Sequence, residues 1–92
     1  MRITTQFHGI LADWVGTRRA GFELSPNATY GDLLHTIACR YRQNMPEQLW
    51  DQEKGTFKKQ IRAVGKERSY DARDDLLSDG EEITFLLMIA GG

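Results

Sequence analysis

Few residues in this 92-residue sequence have the type and spacing to do chemistry. The one thiol, Cys39, could hold a persulfide only if it were exposed and of lowered pKa. Beside Ala38 on an apolar-striped segment, it reads instead as a half-buried, inert side chain. His8 and His35 lie far apart, and together with one cysteine they give no zinc-ligand spacing. No partner group is placed by sequence to make either one a general base. Asp74, Asp75, Asp79, Glu81 and Glu82 form an acidic cluster that could bind a metal, but it is better read as capping loops or steering basic partners. There is no P-loop, dinucleotide fingerprint or nucleophile elbow. What remains is the end of the chain, where two of the nine glycines, Gly91 and Gly92, close the sequence. At an average glycine usage of about 7%, two terminal glycines arise by chance in roughly 0.5% of chains, so the pair weighs more than the total.

Composition narrows what these residues could serve. Twelve Lys+Arg against 13 Asp+Glu leave a net charge of −1, which indicates no bulk attraction to nucleic acid or to an anionic membrane. Hydrophobic residues at 40% and charged residues at 27% are ordinary for a folded chain. A chain of this length buries only roughly 60–65% of its unfolded surface, enough for one small core and no deep substrate cleft. A lone cysteine cannot form an internal disulfide, and Met1–Gln6 lacks an apolar run of signal-peptide length. No stretch approaches the roughly 20 apolar residues of a membrane span. A cytoplasmic location is expected, with one domain over residues 1–89 and an Ala-Gly-Gly tail over residues 90–92.

The elements that must position that tail follow from periodicity. Ile3, Thr5 and Phe7 alternate with Thr4, Gln6 and His8, and Ala20, Phe22 and Leu24 alternate with Gly21 and Glu23. These predict an antiparallel hairpin. Between them, Gly9 to Gly16 reads as an apolar turn plugging one end of the core. Thr29 and Asp32 resemble a capping box, and Leu33, Leu34, Ile37, Ala38 and Tyr41 form one stripe, predicting a helix from Tyr30 to about Tyr41. Pro46 could open a helical turn through Leu49 and Trp50, followed by an exposed loop at Gln52–Gly55. Ile61–Val64 and Arg68–Tyr70 read as short strands, and Ser78-Asp79-Gly80 as a loop. The last strand, from Glu82 to Ile89, turns Ile83, Phe85, Leu87 and Ile89 inward. Leu86 and Met88 then face outward as a candidate docking patch, with Gln6 and His8 at its rim. Strand, strand, helix and further strands, with first and last side by side, predict an α+β fold. It is the β-grasp, ubiquitin-like arrangement: a mixed sheet of four or five strands with one main helix on one face.

Particular stretches carry a resemblance. Phe7-His8-Gly9-Ile10-Leu11-Ala12-Asp13-Trp14-Val15-Gly16, Ala28-Thr29-Tyr30-Gly31-Asp32-Leu33-Leu34, the loop and strand from Leu77 to Leu86, and Met88-Ile89-Ala90-Gly91-Gly92 resemble the molybdopterin synthase small subunit. The family is that of the MoaD/ThiS-like sulfur carriers, which also includes thiamine-type carriers and ubiquitin-related modifiers. The likeness spans nearly the whole chain and is weakest over Asn44–Lys59. Leu87-Met88 stands where molybdopterin carriers often have two prolines.

The resemblance implies a chemistry. A ubiquitin-activator-like adenylating enzyme consumes ATP to form an acyl-adenylate on the carboxylate of Gly92, and sulfur from a donor converts it to a thiocarboxylate. Ala90 and Gly91 would thread this end into a larger synthase subunit or another sulfur acceptor, in molybdenum or tungsten cofactor synthesis. Glycines suit a narrow, water-excluding tunnel because they obstruct nothing and adopt conformations closed to other residues. Extended at about 3.3 Å per residue, Ile89–Gly92 would reach roughly 13 Å. The domain itself would be no enzyme and would bind no cofactor, no metal, no nucleic acid and no membrane. A thiamine-type carrier, a modifier joined to lysines through Gly92, and a non-covalent β-grasp interaction domain stay open as alternatives.

Overall fold

The computed structural model describes residues 1–41 and 47–88. Strand β1 (Arg2–Phe7) pairs antiparallel with β2 (Arg19–Glu23), with Ile3 opposite Phe22 and Thr5 opposite Ala20. Ile3, Thr5 and Phe7 point into the core, as the alternation predicts. Thr5 is the one buried polar residue among those described, and its hydroxyl donates to the Ala20 carbonyl at 3.2 Å. That bond removes the penalty of burying an unpaired hydroxyl.

The link between these strands is a short helix rather than a turn: α1 (Ile10–Val15). Leu11, Trp14 and Val15 are spaced to share one helical face, and Gly16 closes it in the left-handed region at φ 95°, its N–H donating to the Ala12 carbonyl at 2.9 Å. The expected plug is present, with Leu11 and Val15 fully buried.

Helix α2 (Tyr30–Tyr41) has the expected bounds. The capping box forms reciprocally: the Thr29 amide donates to the Asp32 carboxylate at 2.9 Å, and the Asp32 amide donates to the Thr29 hydroxyl at 3.3 Å. Leu33, Leu34 and Ile37 share one core with Ile3, Phe22, Ile83 and Phe85 of the sheet. Gly31 has a specific reason to be glycine. A Cβ there would lie 2.9 Å from the Arg73 carbonyl oxygen, which already accepts the Gly31 N–H at 2.8 Å.

After the helix, β3 (Trp50–Asp51) and β4 (Thr56–Phe57) form a separate antiparallel hairpin. The expected helical turn into Leu49 and Trp50 is corrected on its described part, because Trp50 opens a strand; Pro46 lies outside the described residues. Asp51 builds the hairpin loop by accepting the amides of Glu53 and Lys54 at 3.0 and 3.1 Å. Trp50 packs edge-on against Phe57, centroids 5.0 Å apart, and Phe57 reaches Phe85 at 4.9 Å.

Strands β5 (Ile61–Val64), β6 (Ser69–Tyr70) and β7 (Glu82–Leu87) complete a five-stranded sheet in the order β2-β1-β7-β5-β6. β1 and β7 run parallel and the other neighbours antiparallel, so the first and last strands are central and adjacent, as expected. No helix among the described residues is long and apolar enough to cross a membrane.

Candidate functional site

Everything the sequence assigns to the reactive end depends on β7, which hydrogen-bonds on both edges. Its register sets Gln6 beside Thr84 and Phe7 beside Phe85 on β1, and Arg62 beside Leu86 and Ala63 beside Phe85 on β5. Ile83 and Phe85 are fully buried, and Phe85 stacks on Phe7 with centroids 5.4 Å apart. Leu87 packs on the core while partly exposed. The outward residues are Thr84, Leu86 and Met88. Leu86 is partly buried, and Met88 is the large apolar side chain open to solvent at this end, at 49%.

The four residues expected to form a docking patch occupy one face. Gln6 neighbours Thr84 in register, and the His8 amide donates to the Phe85 carbonyl at 3.2 Å, which sets His8 level with Leu86. Gln6 also donates its side-chain amide to Glu82, which is ion-paired with Arg19 at 3.6 Å. Arg62 faces the same side beside Leu86 and escapes sequence reasoning. Alternation with Ile61 and Ala63 turns it outward, but only the β5–β7 register brings it to the patch. The result is an apolar centre, Leu86 and Met88, flanked by an imidazole, an amide and a guanidinium.

β7 is pinned at both ends. The Met88 amide donates to the Gln60 carbonyl at 2.6 Å, fixing the last described residue. At the start, Glu81 accepts from Tyr70, from Arg68 at 2.8 Å and from the Ser78 amide at 2.6 Å. Burial alone would raise the Glu81 carboxyl, but these hydrogen bonds outweigh it and hold the group below the usual carboxylate range. The Arg68 guanidinium is pushed up, chiefly by its bond to Glu81, and the Tyr70 phenol is pushed up, chiefly by burial. Ala90, Gly91 and Gly92 lie outside the described residues.

The remaining candidates separate clearly. Cys39 is exposed rather than half-buried, because α2 turns it away from Ile37, and its sulfur sits 3.6 Å from His35 Nε2. His35 is exposed beside it. Members of the acidic cluster cap backbone: Asp79 accepts the Arg2 amide at 2.8 Å, and Asp75 accepts the amides of Asp71 and Ala72. Among the described residues no group of three or more His, Cys, Asp or Glu could hold a metal.

A mixed sheet with parallel first and last strands and a twelve-residue helix after the first hairpin defines a β-grasp, ubiquitin-like domain. No family model and no curated protein matches the sequence. Solved structures do. Small archaeal modifier protein 1 from Haloferax volcanii superimposes with a TM-score of 0.81 at 17% identity, covering 100% of each chain. Urm1 from Trypanosoma brucei gives 0.73 at 20% identity, covering 99% of this chain and 95% of its own. A Pyrococcus furiosus protein provisionally named molybdopterin converting factor subunit 1 gives 0.73 at 17% identity, covering 97% and 99%. The likeness lies in the fold, which is the fold the sequence resemblance implied.

Proposed function

We propose that this chain is a sulfur carrier of the molybdopterin synthase small-subunit type, whose working group is the carboxylate of Gly92. The observation that carries the proposal is the central position of β7. Held on both edges and anchored at Met88, it leads from a rigid sheet directly into Ile89-Ala90-Gly91-Gly92. A rigid base lets a partner that grips the sheet face direct a tail ending in two side-chain-free glycines into a narrow site.

In this reading an adenylating enzyme docks on the face formed by Leu86, Met88, Gln6 and His8, with Arg62 beside them. The Gly92 carboxylate attacks the α-phosphate of ATP, releasing pyrophosphate. Sulfide-level sulfur then attacks the carbonyl carbon and expels AMP, leaving a thiocarboxylate. Where the donor is a persulfide, the displacement gives an acyl disulfide, which a second thiol of the donor cleaves, the donor ending as a disulfide. A larger synthase subunit takes the tail and receives the sulfur for a pterin dithiolene. The domain contributes presentation, and the catalytic groups belong to the partners. Intact mass after incubation with ATP, the cognate adenylating enzyme and a sulfur donor tests this: one oxygen replaced by sulfur adds about 16 Da. An unchanged mass with an enzyme shown to be active on its own carrier refutes it.

A second reading is favoured by the likeness to small archaeal modifier protein 1. The same activated Gly92 would be joined to lysines of other proteins. ATP-dependent conjugates lost on deleting Gly92 would establish it, and the two roles share one activation step.

A further inference from the structure

A second surface stands apart from the tail. Between the β3–β4 hairpin, the start of α2 and the β5–β6 edge lies an open cleft of about 560 Å³. Its floor is apolar and almost fully buried: Leu34, Phe57, Ile61 and the rings of Tyr30 and Tyr70. Three lysines line it, Lys54, Lys58 and Lys59, with Arg62 only at the border it shares with the Leu86 face. Elsewhere the cations are largely engaged. Arg2, Arg19 and Arg68 are ion-paired, while Arg40 and Arg73 donate to backbone carbonyls. None of the three lysines at the cleft has a side-chain partner among the described residues. Two carboxylates also line it, but Asp51 is committed to its own hairpin loop, which leaves Asp71.

The cleft is built. Arg73 donates to the Gly55 carbonyl at 2.9 Å and to the Lys54 carbonyl at 3.3 Å, while its backbone carbonyl accepts the Gly31 N–H. One residue thus ties the hairpin loop to the start of α2. Tyr30 is 7% exposed, and its hydroxyl has no hydrogen-bond partner among the described residues. Since no fully buried side-chain N or O atom lacks a partner, that hydroxyl retains its access at the cleft it lines. Burial, then Asp71 and Asp75, push its pKa up, so it stays a neutral donor.

We propose that this cleft docks an acidic segment of a partner protein, with apolar side chains on the aromatic floor, carboxylates on the lysine rim and the Tyr30 hydroxyl donating to the bound chain. Charge complementarity selects the occupant. Three unpaired lysines around an apolar floor suit alternating acidic and apolar side chains. A chain of net charge −1 lacks the broad positive field with which nucleic-acid binders hold phosphates. The proposal does not rest on the chemistry of Gly92.

Amide chemical shifts of the ¹⁵N-labelled full chain provide the test. The probes are a short peptide of leucines flanked by Asp and Glu, its Asn/Gln counterpart, and a single-stranded RNA oligonucleotide. The acidic peptide should move amides of Thr56–Ile61, Tyr70 and Asp71, and added salt should weaken it. Replacing both Lys58 and Lys59 by Glu should cut affinity about tenfold or more with the spectrum still dispersed, and Arg at both positions should retain it. Tyr30→Phe should weaken binding about fivefold. Equal binding of the Asn/Gln peptide, shifts centred on Leu86 and Met88, tighter binding of RNA at the same amides, or no shift at millimolar peptide would each overturn the proposal.

Discussion

Strand β7 and the β3–β4 hairpin each send one phenylalanine into the core, and Phe85 and Phe57 meet there at 4.9 Å. They are held by different means. β7 is fixed by alternation: its inward side chains are buried, and its register follows from two neighbouring strands. The hairpin has two residues per strand and is fixed by polar ties, with Asp51 turning its loop and Arg73 fastening that loop to α2. Hydrophobic burial makes the rigid base for the tail. Hydrogen bonding, local at Asp51 and long-range at Arg73, shapes the cleft.

That contrast is sharpest under substitution. Phe85→Ala removes a fully buried ring touching both Phe7 and Phe57, and should cost about 3–5 kcal/mol in urea unfolding. For a small domain this approaches the whole stability, and a loss below about 1 kcal/mol would break the account of β7. Gly31→Ala strikes the other region, forcing a Cβ against the Arg73 carbonyl. Overpacking should cost about 1–3 kcal/mol, offset by Ala's better helix propensity. Faster amide hydrogen exchange should concentrate at Gly55 and the hairpin, whereas uniform acceleration would make hairpin and sheet one unit.

Smaller effects sharpen the picture. Thr29→Ala deletes half the capping box and should lower thermal stability by about 1 kcal/mol. Acid tests the lock before β7. The Glu81 carboxyl titrates below its unfolded value, so its contribution is fully present above the unfolded carboxyl pKa of about 4.3 and is lost as pH falls through the lower folded value. Glu81→Gln should flatten that acid limb of the stability curve, and an unchanged limb would show that Arg68 and Tyr70 do not stabilise the carboxylate. Smallest for the fold is Met88→Asp, at a half-exposed position, expected within about 0.5 kcal/mol. It should nevertheless slow adenylation. Normal adenylation would remove Met88 from the docking face.

The same division explains what was legible. The bounds of α2, the first hairpin and the inward residues of β7 follow from periodicity, because burial of one face imposes it. The apolar run from Gly9 to Gly16 suggests a turn by its length, although Leu11, Trp14 and Val15 have helical spacing ahead of Gly16. The β3–β4 hairpin escapes the periodic pattern because two-residue strands have no period to read. Its signal was polar, an Asp followed four residues later by a Gly with φ +65°. Arg62 at the patch and Arg73 at the cleft depend on register and long-range hydrogen bonds, which no local pattern contains. Cys39 follows Ala38 within the span of the stripe, and one residue's rotation about the helix, roughly 100°, carries it off that face to an exposed position.

Fragment-ion mass spectrometry of the full chain tests whether Gly92 is the residue that takes up sulfur. After reaction with ATP, the adenylating enzyme and a sulfur donor, the added mass of about 16 Da should map to Gly92, and the chain lacking Gly92 should gain nothing. Added sulfur on Cys39, or equal gain without Gly92, would contradict that assignment.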